Sequence, residues 1–152
     1  MVPRSPRVPR RAAPFGVRAD DAAEHEETSM EPTPTFPHHR LDAWVQARDL
    51  STEVMVLSQR IPRGYRSLAD QMKRAAMSTV LLIGEGANRT GAGEKRHRYS
   101  LARGECGELA AALELAVVWG LVPDSDVAPL LRRAARVGAM LTKLERRWAR
   151  GG

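Results

Sequence analysis

Thr79–Arg98 reads TVLLIGEGANRTGAGEKRHR. The apolar run Val80-Leu81-Leu82-Ile83 meets Gly84, Gly86, Gly91 and Gly93, and positive charge follows. One reading is a buried strand feeding a glycine-rich phosphate loop, and so a nucleotide-binding α/β domain. The other is the end of an amphipathic helix followed by a turn. A dinucleotide fingerprint needs Gly-x-Gly-x-x-Gly/Ala between a strand and a helix. Starting from Gly84 the third position is Arg89, and starting from Gly91 it is Arg96. A Walker loop needs Gly-x-x-x-x-Gly-Lys-Ser/Thr. Gly86 and Gly91 are correctly spaced, but Ala92 stands where the phosphate-binding lysine belongs. Both motifs fail at the residue that discriminates. The apolar run also continues a stripe of steps of three and four, Leu68, Met72, Ala75, Thr79, Leu82 and Gly86, so it belongs to a helix.

The same rhythm runs outward in both directions. Upstream, Ala43, Ala47, Leu50, Val54, Leu57 and Ile61 form a stripe that Pro62 and Gly64 end. Ser67 with Asp70 predicts a capping box at the start of the second helix. Downstream, Tyr99, Ala102, Cys106, Leu109, Leu113 and Ala116 make a third helix ending near Trp119-Gly120. Pro123-Asp124 opens a fourth, with Val127, Leu130, Ala134, Val137, Leu141, Leu144 and Trp148 on its core face. Aromatic residues are only 5% of the chain against 43% hydrophobic, which favours packed helices over strands. Four long helices joined by short turns predict an all-α, antiparallel up-down-up-down four-helix bundle over residues 40–150.

Residues 1–39 differ. They hold seven of the ten prolines and no apolar period, with arginines first and an acidic block, Asp20 to Glu31, after. Such a segment is expected to be disordered, because it has too little apolar surface to offset the entropy of ordering. Through Arg40 this segment carries six basic and six acidic residues, so the net charge of +6 falls on the bundle. The single cysteine, Cys106, allows no internal disulfide and suits a reducing compartment. No apolar run reaches the roughly 20 residues of a membrane span. The expected protein has no membrane association and is cytoplasmic. His25, His38 and His39 lack metal spacing and Cys106 has no nearby histidine, so no metal, cofactor or catalytic residue is expected.

The positive charge gathers in two places. Arg89, Lys95, Arg96 and Arg98 surround the glycine turn and the start of the third helix. Arg132, Arg136, Lys143 and Arg147 follow one face of the fourth helix, flanked by Arg133. From Val127 to the end there are seven basic residues against one acid, Glu145, whereas a merely solvated face mixes both signs. These residues are the candidate nucleic-acid contacts, acting on phosphate backbone more than on bases. The competing reading is a protein-interaction scaffold with an acidic protein partner.

Leu68–Gly86, LADQMKRAAMSTVLLIGEG, and Tyr99–Ala116, YSLARGECGELAAALELA, carry a resemblance. The chain resembles the four-helix bundle family of 23S ribosomal RNA intervening-sequence proteins. Leu68, Gln71, Arg74, Ala75, Ser78, Ile83, Glu85 and Gly86 match that family's second helix, and Ala102, Arg103, Gly104, Glu108 and Leu109 its third. Leu82 departs where the family has Asn, Gly84 replaces Ala and Glu105 replaces Ser. The family is similar to the accessory variability proteins of diversity-generating retroelements. That likeness implies a basic, non-catalytic homo-oligomer, a pentamer, which binds nucleic acid (RNA before DNA) and a reverse transcriptase. Arg74, Ser78, Glu85, Arg103 and Glu108 are read as a structural polar network, with Glu85 pairing Arg103 and Arg74 pairing Glu108. Gly104 and Gly107, inside the third helix, would suit close approach of a neighbouring helix or subunit.

Overall fold

A computed structural model describes residue 33 and residues 35–150. The disordered segment expected over residues 1–39 therefore falls mostly outside the described residues. Four helices make up the fold: α1 (Asp42–Ser58), α2 (Arg66–Asn88), α3 (Ala92–Val118) and α4 (Asp124–Ala149). No strand occurs among the described residues. Each helix packs on its neighbours in the chain and α1 closes against α4, while the diagonal pairs do not meet. Contacts across the helices fix the antiparallel sense. Gly86 abuts Tyr99 beside the α2–α3 turn, and Arg74 reaches Glu108 far from it. Across α3 and α4, Arg103 pairs with Glu145, and Cys106 donates from Sγ to the Ala134 carbonyl at 3.3 Å. The stretch Thr79–Asn88 is helical throughout, and Arg89 to Gly91 make the turn. Gly93, expected in the turn, lies inside α3.

The core is the sum of the four stripes, with Leu50, Met72, Ile83, Tyr99, Leu109, Leu113 and Leu141 among its largest fully buried side chains. Thr79 enters this core because its Oγ1 donates to the Ala75 carbonyl at 2.8 Å, leaving no unmet hydroxyl. Gly120 ends α3 at φ +70°, with Leu121 N–H returning to Ala116 O and Gly120 N–H to Val117 O. This crossed pair satisfies the last carbonyls and requires the left-handed region that glycine adopts without strain.

Three local expectations change. The Ser67–Asp70 capping box does not form, because a 3-10 turn at Arg63–Tyr65 runs directly into α2 and places Ser67 inside the helix. Asp70 instead pairs with Lys73 at 3.0 Å. Helical structure is also present before residue 40. Pro37–Arg40 form a 3-10 helix, and His38 and His39 lie 4.7 and 5.5 Å from the Trp44 ring. Asn88 Nδ2 contacts His38 Nδ1 at 3.0 Å and donates to the Gly84 carbonyl at 2.7 Å. The second bond orients the amide as a donor, so it favours a neutral His38 ring, whose pKa is lowered by burial and by His39. Finally, Gly104 and Gly107 face open space, with nothing among the described residues within 4 Å of an added Cβ. No helix among the described residues explains them.

Cys106 is buried against α4, and burial pushes its thiol up to about 11. A thiol held protonated in the core neither attacks nor is reached. Folded protein should not react with a thiol-specific disulfide reagent, and one equivalent should react on unfolding. Fast modification of the native chain would contradict this placement.

Candidate nucleic-acid interface

Ion pairing sorts the candidate cations into two groups. At the α2–α3 corner Arg89 reaches Glu85 at 2.6 Å and Glu94 at 3.7 Å, and Arg98 reaches Glu85 at 3.3 Å. Lys95 Nζ donates to the Gly86 and Ala87 carbonyls at 3.3 and 2.9 Å, capping the C-terminal end of α2, where cations are favoured. On α4, Arg133 turns toward α1 and meets Glu53 at 3.2 Å and Asp49 at 3.7 Å. These four residues, expected to touch phosphate, are engaged within the bundle. Arg96, Arg132, Arg136, Lys143 and Arg147 are exposed and have no carboxylate partner among the described residues.

Arg132, Arg136, Lys143, Arg147 and Arg150 advance along α4 at steps of three, four and seven, so they share one outward stripe. From first to last the stripe measures about 27 Å at the helical rise. Glu145, the sole acid in this half of α4, is turned to α3 and held by Arg103 at 2.6 Å, so it does not offset the stripe. Arg40, the first residue of the expected bundle and counted with the tail only in the charge balance, joins the stripe at its C-terminal end. It lines a cleft of about 450 Å³ with Lys143 and Arg147. Only the fold could show this, because Arg40 and Arg147 lie at opposite ends of the bundle sequence.

The polar network of α2 and α3 is partly rearranged. Arg74 meets Glu108 at 3.2 Å and Gln71 at 2.5 Å, and Gln71 also donates to Glu108. Gln71 was read only as a family match; its spacing of three from Arg74 was the available signal. Ser78, one turn along, is half-buried. Glu85 does not pair with Arg103. Arg103 lies about 17 Å down α3 from its start, whereas Glu85 is within about 5 Å of the end of α2. Antiparallel register therefore brings Arg98, not Arg103, beside Glu85, and Arg89 competes from the cap just past the end of α2.

The hydrogen bond from Arg89 is the main reason the Glu85 carboxyl is held below its ordinary range; partial burial opposes this and the Arg98 and Arg89 charges assist it. A carboxyl with a lowered folded-state pKa stabilises the fold above the ordinary carboxylate range, and the contribution is lost as pH falls through that range. Glu85→Gln should therefore flatten the acid side of a melting-temperature profile. A variant as acid-sensitive as the parent would show that these exposed pairs contribute nothing measurable.

The corner turn, the Gln71–Arg74–Glu108 network and the Gly86–Tyr99 contact are the places where the residues shared with the intervening-sequence proteins converge. The sequence profile of the family described as 23S rRNA-intervening sequence protein matches residues 39–143. The chain belongs to this family. No curated protein sequence matches it closely enough to add a relative. The match begins at His39, within the ordered 3-10 helix, and ends at Lys143, before the last basic residues of α4. Among the described residues of this 23S rRNA-intervening sequence protein, no helix is long and apolar enough to cross a membrane.

Proposed function

We propose that this chain is a non-catalytic bundle that binds nucleic acid, RNA in preference to DNA, through phosphate contacts along α4. The observation that carries the reading is the stripe Arg132–Arg136–Lys143–Arg147–Arg150, which has no carboxylate partner among the described residues, whereas internal ion pairs neutralise Arg89, Arg98 and Arg133. Uncompensated charge of one sign has a repulsive cost in the free protein that an anionic partner relieves. The preference for RNA rests on the family, as does the further proposal of a pentameric accessory to a reverse transcriptase in a diversity-generating retroelement. A homo-oligomer also agrees with exposed apolar side chains on α2 and α3: Met77 is 55% exposed, Leu81 63% and Leu101 41%.

The test is a salt titration of RNA binding together with light scattering on the full chain. Binding should weaken steeply with salt, because each phosphate neutralised releases condensed counterions, and the mass should be a multiple of one chain. Binding that is absent or indifferent to salt overturns the nucleic-acid reading. A protein partner retained after nuclease treatment would favour the acidic-protein scaffold instead. A monomeric mass overturns the oligomer.

A further inference from the structure

Beside the stripe, at the end of the bundle where α2 finishes, α3 begins and α4 ends, lies a second cleft of about 470 Å³. Its apolar walls are Pro37, Leu41, Ala87 and Leu144, and no acidic residue lines it among the described residues. Three cations face it, Arg40, Lys95 and Arg147, together with the rings of Tyr99 and Trp148. Tyr99 is only 2% exposed, but its hydroxyl is not among the buried unpartnered atoms; it makes no hydrogen bond among the described residues, and the residue lines the cleft. A phenol oxygen that is open to solvent and free of a protein partner can donate to, or accept from, whatever enters the cleft. Lys95 Nζ lies 5.1 Å and the Arg147 guanidinium 5.5 Å from the Trp148 ring centroid. Lys95 is held there by the α2 carbonyls, whereas Arg147 is exposed and has no carboxylate partner among the described residues.

We propose that this cleft seats one unpaired nucleotide of the strand bound along α4, so that the protein prefers single-stranded RNA to duplex. The inference rests on the nucleic-acid reading above and adds a specificity to it. The volume lies in the range of small-ligand pockets. The ligand class follows from the lining: a flat apolar group for the Trp148 face, an anion for Arg40 and Arg147, and a polar edge for the Tyr99 hydroxyl. A nucleotide combines all three. Arg147 moves from the ring to the phosphate, and the base takes the ring face it leaves. Because Arg147 belongs to both cleft and stripe, a strand following the stripe delivers its nucleotide without a break. A paired base cannot enter, since its Watson–Crick edge and both faces are occupied within the duplex.

The test uses the full chain with Trp148 as its sole tryptophan, in a Trp44→Phe and Trp119→Phe background. It is titrated with a short oligouridylate, an RNA duplex of the same length, and an oligoglutamate of matched charge. The oligouridylate should quench Trp148 and bind about tenfold more tightly than the duplex; oligoglutamate should leave the fluorescence unchanged. Trp148→Ala should remove that preference while duplex affinity stays. Tyr99→Phe, which keeps the core ring, should weaken single-strand binding about fivefold with no change in duplex binding. Equal binding of single strand and duplex by the parent, equal losses in the variants, or equal quenching by oligoglutamate overturns the proposal and leaves the phosphate-binding stripe standing. Failure to bind either RNA overturns both.

Discussion

Gly86→Ala should lower the stability of the bundle by about 2 kcal/mol, although alanine is the better helix former by about 1 kcal/mol. The reason is a collision. A Cβ at residue 86 would lie 2.8 Å from Cε1 and 3.1 Å from Cδ1 of Tyr99, and 3.2 Å from Cβ of Arg98. The Tyr99 ring is almost fully buried and Cβ of Arg98 is fixed to the α3 backbone, so relief requires the ring to shift toward the end cleft or α2 and α3 to separate where the turn holds them closest. For a domain of this size the loss corresponds to a fall in melting temperature of about 8 °C. Gly104→Ala and Gly107→Ala should act in the opposite direction, each adding about 1 kcal/mol, because an added methyl there meets nothing among the described residues. Thermal melts of the three variants at one protein concentration decide the matter. A Gly86→Ala protein as stable as the parent would mean that the helices part without cost.

That contrast marks what the sequence could disclose. Periodicity located all four helices, because a stripe at steps of three and four survives any choice of neighbour. It also moved Val80–Ile83 from a strand to α2, although the stripe named Leu82, which is half-buried, where the structure fully buries Ile83 and exposes Leu81 on the opposite face. Periodicity says nothing of which residue on one helix meets which on the next. Arg74 with Glu108 could be named because both lie far from the turn by similar lengths of helix. Glu85 with Arg103 could not stand, since one lies beside the turn and the other three turns beyond it. Nor did composition separate a free arginine from a paired one. Arg132 and Arg133 are adjacent and identical in type, yet the hundred-degree step between them sends one outward and the other onto Asp49 and Glu53 of α1. The end cleft was hidden for the same reason, being assembled from Arg40, Lys95 and Arg147, which are far apart in the chain.

The same separation sets the largest expected effect on binding. Changing Arg132, Arg136 and Lys143 together to Gln should reduce RNA affinity about a thousandfold at low salt, at about 1.5 kcal/mol for each charge-assisted phosphate contact. The slope of log K against log salt should shrink by about 2, since each single-strand phosphate contact contributes about 0.7. Melting should be little altered, because none of the three has a carboxylate partner among the described residues. Changing Arg89, Arg98 and Arg133 to Gln removes the same formal charge and should do the reverse. Each already holds a carboxylate, at 2.6 Å for Arg89, 3.3 Å for Arg98 and 3.2 Å for Arg133. A phosphate must displace that carboxylate before it gains anything, and the carboxylate released is then an added repulsion. Affinity and slope should therefore stay near the parent's, while the melting temperature falls. Net charge is equal in the two variants, so a protein that attracts RNA by overall charge alone would lose equal affinity in both. Unequal loss, confined to the α4 stripe, is what a built phosphate track requires.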